Sequence, residues 1–258
     1  MELERTTALY FSPAGGTKKV TERIAQSVGP RAESADVTVR ARELEFGPAE
    51  LVVIGAPVYG GRVPWPVGER LSRVSARGTP AVIAAVYGNR AYEDALLELR
   101  TLAEGRGFRV MAAGAFIARH SIVPEIAQGR PDAEDLVKID EFSRRIRERL
   151  EYVASAESLP TAIVPGEREY RRYDGVPMHP EAARGDCVGC GRCAAECPVG
   201  AIPAAEPWKT DGTRCITCMR CVAVCPQFAR HLSRLKLAAA KLSLKKACAQ
   251  RREPELFI

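Results

Sequence analysis

Cys187-Val188-Gly189-Cys190-Gly191-Arg192-Cys193-Ala194-Ala195-Glu196-Cys197-Pro198 has the form C-x2-C-x2-C-x3-C-P, and Cys215-Cys218-Cys221-Cys225-Pro226 repeats it 28 residues later. The two runs hold eight of the nine cysteines. Three thiolates spaced two residues apart can wrap three corners of an iron–sulfur cube, and the next three residues carry the chain away before the fourth. Disulfides and zinc ribbons are the competing uses of such cysteines. Zinc knuckles work as C-x2–4-C pairs and would leave thiols over, so the spacing selects two [4Fe–4S] clusters.

The double run resembles that of the bacterial two-cluster ferredoxins, in which the fourth cysteine of each run ligates the other cluster. The resemblance implies one cluster on Cys187, Cys190, Cys193 and Cys225. It implies a second on Cys215, Cys218, Cys221 and Cys197, all within a small α+β domain over residues 181–228. Cys248 is the odd thiol and reads as a small apolar helix residue.

Upstream, residues 156–180 contain four prolines and two glycines and read as a linker, with Tyr170 and Tyr173 as candidates to pack on a neighbouring domain. Residues 1–155 alternate differently. Apolar runs at Ala8–Phe11, Leu51–Ala56, Ala81–Tyr87 and Val110–Ile117 look like strands buried on both faces, and Val37–Val39 is a shorter candidate. Helical stretches lie at Thr17–Val28, Val67–Ser75, Tyr92–Glu104 and Asp132–Val153, the last entered through Pro131-Asp132 with Glu134 and Asp135 in its first turn. Five strands with helices between them predict a doubly wound α/β domain with a parallel sheet.

Three loops of that domain carry the chemistry. Ser12-Pro13-Ala14-Gly15-Gly16-Thr17 leaves the first strand and opens a helix, where unpaired N–H groups and the helix dipole suit an anion. It is not a P-loop, because Gly16 is followed by Thr17-Lys18-Lys19, and it is not G-x-G-x-x-G. Gly55-Ala56-Pro57-Val58-Tyr59-Gly60-Gly61 ends the third strand, and Tyr87-Gly88-Asn89-Arg90-Ala91-Tyr92 ends the fourth. In a doubly wound sheet these strand ends meet at the switch point, where ligands bind. A phosphate loop with two Gly/Tyr loops beside it suits FMN.

Residues 5–155 resemble a flavodoxin, and the chain as a whole resembles the flavodoxin–ferredoxin fusion proteins of anaerobic bacteria and archaea. The resemblance implies a flavodoxin-like, doubly wound, five-stranded parallel sheet joined to the two-cluster domain. It implies that Ser12, Ala14, Gly15, Gly16 and Thr17 contact the FMN phosphate. Ala14 stands where flavodoxins usually carry a hydroxyl, with Lys18 as a compensating contact. Pro57, Val58, Tyr59 and Gly60 would line one side of the ring, and Gly88, Asn89, Arg90 and Tyr92 the other. Trp65 is a rival to Tyr92 for stacking on the flavin ring, or a packed residue between Pro64 and Pro66.

Charge is unevenly placed. Residues 1–180 carry 25 basic and 25 acidic side chains and residues 181–228 carry five of each, so the excess of +6 lies in residues 229–258. Base-reading motifs are absent and no nucleic-acid partner is expected. Leu232, Leu235, Ala239 and Leu242 keep helical spacing in this segment, which predicts a terminal helix laid on the preceding structure; a solvated basic helix has the same signature. The basic segment is expected to draw an acidic donor to the cluster end. The first residues carry Glu2, Glu4 and Arg5 where an export signal would be basic then apolar, and no run of about 18 apolar residues exists. With reduced, metal-binding cysteines this predicts a cytoplasmic protein without a membrane partner.

The expected function is electron transfer between two clusters and FMN. It takes the form of a reductase fed by a ferredoxin-like donor and acting on a small-molecule acceptor, or of a carrier serving a partner enzyme. Arg119-His120-Ser121 follows the fifth strand at the ligand edge of the sheet, where His120 is either an acid/base residue or a loop residue with a local hydrogen bond.

Overall fold

A computed structural model describes all of residues 1–258. Five parallel strands, β1 (Arg5–Tyr10), β2 (Ala32–Asp36), β4 (Glu50–Pro57), β6 (Thr79–Tyr87) and β7 (Phe108–Ile117), form the centre of the main sheet. Their order is β2-β1-β4-β6-β7, a doubly wound arrangement with its switch point beside β1. The short strands β3 (Leu44–Phe46) and β5 (Val74–Ala76) pair separately, in parallel. A sixth strand, β8 (Glu255–Phe257), closes the main sheet antiparallel to β7, with Gly114 opposite Leu256. It comes from the end of the chain and covers an edge that would otherwise be open.

The apolar runs are continuous because both faces are covered. Leu51 and Val53 of β4 and Val82 of β6 pack with Ile24, Phe142 and Ile146 under α1 (Gly16–Val28) and α4 (Ala133–Glu151). Val52, Ile54 and Ile83 face Leu96 and Leu99, under α2 (Trp65–Leu71) and α3 (Ala95–Glu104). Each such side chain contributes about 1.5–3 kcal/mol by leaving water. The start of α4 follows the expected chemistry: Asp135 N–H donates to Asp132 at 3.1 Å and Asp132 N–H returns to Asp135 at 2.9 Å.

Three element boundaries differ from the sequence reading. The second strand is Ala32–Asp36 and not Val37–Val39. It is an edge strand whose only buried residue is Ala35, so no apolar run announces it, while Asp36 accepts from Thr38 N–H at 2.8 Å and turns the chain. The second helix starts at Trp65, entered through Pro64, and stops at Leu71 because Val74–Ala76 joins β3. The third helix starts at Ala95 and not Tyr92, because Glu93 takes a positive φ of 45°.

The cysteine region holds only single helical turns, α5 (Arg192–Ala195) and α6 (Arg220–Ala223). α7 (Arg234–Ala247) follows and leads into β8. The tail between them runs back over the sheet: Asn89 donates to the oxygens of Cys248 and Gln250 at 3.2 and 2.9 Å and accepts from Arg252 N–H at 3.0 Å. No helix is long and apolar enough to cross a membrane.

The segment over 156–180 does not hang between two bodies. Ala162 N–H donates to Val110 O at 2.9 Å, and Asp94 accepts from the amides of Glu167 and Arg171 at 2.9 and 2.8 Å. The guanidinium of Arg62 lies 4.8 Å from the centre of the Tyr170 ring.

Candidate functional site

At the carboxyl ends of β1, β4, β6 and β7 lies a cavity of about 700 Å3. Ser12, Pro13, Ala14, Gly16 and Thr17 line it from the first loop, Pro57, Val58, Tyr59 and Gly60 from the second, and Gly88 and Arg90 from the third. The first loop is held open from behind. Ser12 N–H donates to Thr38 at 2.8 Å, Ser12 Oγ accepts from Lys18 N–H at 2.8 Å, and Gly15 adopts φ 86°. A Cβ on Gly16 would meet Ala118 Cβ at 2.8 Å, so the helix start sits against β7's exit only because the residue is glycine. The cradle, its size and its amide-rich helix start fit a flavin mononucleotide.

Three residues expected at the flavin turn elsewhere. Asn89 binds the tail, as above. Tyr92 is buried against Tyr87, with ring centres 5.6 Å apart, and donates to Glu255 at 2.7 Å. Its ring belongs to the core below the loop. Lys18 contributes its amide to the Ser12 cap, and its ammonium lies 4.0 Å from Glu22. Trp65 is an exposed residue at the start of α2 and does not line the cavity.

The wall is completed by residues distant in sequence. Tyr173, Val176, Pro177 and Met178 come from the 156–180 segment, Ile216 and Thr217 from the second cysteine run, and Lys236, Ala239, Ala240, Ser243 and Leu244 from α7. A Cβ on Gly60 would lie 2.1 Å from the Tyr173 ring, which marks how closely the two loops approach. The basic segment is therefore no free arm. Arg230 is buried, donating to Pro180 O at 2.5 Å and to Pro207 O; Lys241 pairs with Glu125 at 2.5 Å; Arg251 pairs with Asp132 and Glu134 at 2.7 and 3.0 Å. The predicted apolar face holds in part: Leu232 is buried and Ala239 faces the cavity together with Ala240 and Leu244, while Leu235 and Leu242 are exposed.

His120 lines the same cavity. Its Nδ1 accepts from the amides of Ile122 and Val123 at 3.2 and 3.1 Å, so the proton of the neutral ring sits on Nε2. Burial, then the charge of Arg90, pull its pKa down to about 4.

In the cysteine region the thiols gather in two crossed sets. Cys187, Cys190 and Cys193 line one small cavity together with Cys225; Cys215, Cys218 and Cys221 line another together with Cys197. No disulfide joins any of them. Amide groups point at the sulfurs: Ala201 N–H to Cys197 at 3.2 Å and Thr217 N–H to Cys215 at 3.4 Å. Burial pushes the Cys218 thiol well up and the Cys221 thiol to about 11, so thiolate charge at these positions calls for a bound cation. Four soft sulfur donors per cavity, with N–H groups aimed at them, fit an iron–sulfur cluster.

The two cages differ in position. Ile216 and Thr217, between Cys215 and Cys218, are also wall residues of the flavin cavity, and burial plus the nearby Cys218, Tyr173 and Cys215 hold the Tyr59 phenol well above its ordinary pKa. This is the inner cage. The outer cage, on Cys187, Cys190, Cys193 and Cys225, includes the exposed Cys190.

A family model described as a flavodoxin domain matches residues 8–69, and one described as a 4Fe-4S dicluster domain matches residues 186–229. The chain is a flavodoxin domain fused to a 4Fe-4S dicluster domain. It carries FMN and two [4Fe–4S] clusters and serves electron transfer with redox partners. Among solved structures it is similar to a flavodoxin from the domain Archaea, at 16% identity and a TM-score of 0.40, over 57% of this chain and 99% of the other. A flavodoxin of Streptococcus pneumoniae TIGR4 aligns at 11% identity and a TM-score of 0.40, over 56% and 98%. Flavodoxin 1 of Bacillus cereus aligns at 13% and 0.39, over 58% and 100%. No similarity to a functionally curated protein was found.

Proposed function

We propose that this fusion protein is a reductase. Electrons from a low-potential, ferredoxin-like donor protein enter at the outer cage, pass the inner cage and reach the flavin cavity, where a small-molecule acceptor is reduced. When bound, the clusters move one electron at a time and FMN holds one or two. The carrying observation is that Ile216 lines both the inner cage and the flavin cavity, and that Thr217, next to it between Cys215 and Cys218, lines the flavin cavity as well. Joining both carriers in one chain replaces a diffusional encounter with a fixed one.

On this reading Cys187, Cys190, Cys193 and Cys225 hold the outer cluster, and Cys197, Cys215, Cys218 and Cys221 the inner one. Ser12, Ala14, Gly15, Gly16 and Thr17 take the FMN phosphate, with Pro57–Gly60, Gly88 and Arg90 at the ring. Thr217 fixes the shared wall, its hydroxyl donating to Met178 O at 2.5 Å. α7 borders the cavity with Lys236, Ala239, Ala240, Ser243 and Leu244. The small side chains of Ala239, Ala240 and Ser243 leave room for a small acceptor beside the flavin, which supports the reductase reading. A reducing compartment, the cytoplasm, suits nine cysteines without a disulfide.

The test is anaerobic reduction of the loaded protein by a reduced ferredoxin, followed by addition of candidate acceptors. Multiple turnovers with a small oxidant support the reductase. Turnover only when an acceptor enzyme is supplied would make the chain a carrier.

A further inference from the structure

The two cysteine runs continue alike past their fourth cysteine: Cys197-Pro198-Val199-Gly200-Ala201-Ile202 in the first, Cys225-Pro226-Gln227-Phe228-Ala229-Arg230 in the second. Their last position differs in kind. Ile202 is 6% exposed and lines the inner cage; Arg230, 28 residues on, is 2% exposed and lines the outer one. The repeat thus asks only for a buried apolar side chain at this place, and the second copy puts a guanidinium there.

Arg230 forms no ion pair: its hydrogen bonds go to main-chain oxygens, one hydroxyl and one sulfur. Nη1 donates to Pro207 O and lies 3.9 Å from the sulfur of Cys193, in the outer cage. Nη2 donates to Pro180 O at 2.5 Å and to the Thr210 hydroxyl, and both of those residues line the inner cage. Nε has no hydrogen-bond partner in the protein. Cys193 and Cys221, one thiol from each cage, pack with Ile202 in one buried cluster, so the cages are neighbours. Arg220, the other cation at the inner cage, is neutralised by Glu196, which accepts from its Nε at 3.0 Å. A buried charge without an opposite charge is strongly unfavourable, and the thiolates of the two cages are the negative charge beside this one.

We infer that Arg230 is a counter-ion shared by the two clusters, raising the reduction potential of both. The inference rests on the electron-transfer reading above and adds to it a residue that sets the potentials. A four-thiolate cluster is negative and becomes more so when one electron enters, with no bond made or broken. A fixed cation between the cages favours that reduced form in each. A low-potential donor then fills both clusters, which together hold the two electrons that FMN accepts.

The test is a potentiometric titration of the cluster-loaded, FMN-loaded full chain with dithionite, read by low-temperature EPR after an iron count. Arg230→Ile adopts the residue that the first run has at the same place, and Arg230→Lys keeps the charge. In Arg230→Ile, both clusters shift toward the oxidised form by about tenfold at fixed ambient potential, a midpoint about 59 mV lower for each. Arg230→Lys stays near the wild type. Cys197→Ser and Cys225→Ser, each combined with Arg230→Ile, show the same fall one cluster at a time. Unchanged midpoints in Arg230→Ile overturn the inference, and so does a fall confined to one cluster. An equal fall in Arg230→Lys overturns it too, since charge would not be the cause. If Arg230→Ile loses iron, Arg230→Gln takes its place, and loss of iron there as well makes the residue a structural one and overturns its role as counter-ion. A wild type that takes up no iron on anaerobic reconstitution fails differently: it removes the electron-transfer reading itself.

Discussion

Arg70 of α2 donates to the main-chain oxygen of Pro198 at 2.8 Å, in the protein interior and across 128 residues of sequence. Pro198 follows Cys197, the cysteine that the second cage draws from the first run. A guanidinium of the flavodoxin domain thus fixes the turn that carries a thiol to the cage nearest the flavin. Arg220, beside Cys221, reaches Pro13 O at 3.5 Å from the other direction and is held by Glu196 at 3.0 Å. The domains are docked through main-chain oxygens next to both sites.

Arg70→Met removes the donor and leaves the buried Pro198 oxygen without it. A loss of about 1–3 kcal/mol is expected for such a charge-assisted bond. Thermal unfolding of the loaded protein measures it, and the inner cluster should bleach first on heating. Arg70→Lys recovers part of the loss.

The crossed cages predict which cluster each cysteine serves. Cys225→Ser impairs the cluster of the first run and Cys197→Ser the cluster of the second, each leaving about four of about eight irons. Cys248→Ala leaves both. Iron and sulfide counts with low-temperature EPR distinguish the two variants; a loss confined to the cluster of the same run contradicts the crossing.

Gly15 adopts φ 86°, and a carboxylate there would also stand beside the phosphate loop. Gly15→Asp is expected to abolish FMN retention while the iron count holds. Flavin fluorescence of the heat-released supernatant checks it, with mass spectrometry identifying FMN in the wild type.

The imidazole of His120, held down to about 4, makes stability depend on pH. Free histidine titrates near 6.5. Between those values the unfolded chain binds a proton that the folded chain refuses. The contribution is fully present above about pH 6.5 and is lost as pH falls toward 4, to about 2–3 kcal/mol. Denaturation midpoints of wild type and His120→Asn should converge across that window, with the wild type falling more steeply.

Deleting residues 249–258 removes β8, the Asn89 bond to Gln250 and the Tyr92–Glu255 bond. α7 then loses its C-terminal anchor over the cavity. FMN dissociation, followed by fluorescence after dilution, should quicken by about tenfold, with cluster content unchanged.

The sheet was legible because Leu51–Ala56, Ala81–Tyr87 and Val110–Ile117 are buried on both faces and leave long apolar runs. The cysteine spacing marked the two thiol runs and the strand ends marked the first two loops, while the crossing of the sets came from the resemblance to two-cluster ferredoxins. Ala32–Asp36 was not, since an edge strand with one buried residue has no periodicity to read. Glu255–Phe257 is three residues long and acquires meaning only from β7. Asn89 and Tyr92 looked like flavin contacts because their loop ends at the right sheet edge; their partners, Gln250 and Glu255, lie more than 150 residues away. The same distance hid Tyr173, Thr217 and Ala240, wall residues brought to the cavity by three separate segments.

The central claim is that the inner cage connects the donor to the flavin. Stopped-flow reduction of the oxidised, fully loaded protein by reduced ferredoxin tests it, comparing wild type with Cys197→Ser that retains FMN. The account predicts that in the wild type cluster bleaching precedes flavin bleaching. In the variant, flavin bleaching slows by about two orders of magnitude, the scale on which a fixed connection outruns a diffusional one. Flavin reduced at the wild-type rate in Cys197→Ser would contradict it.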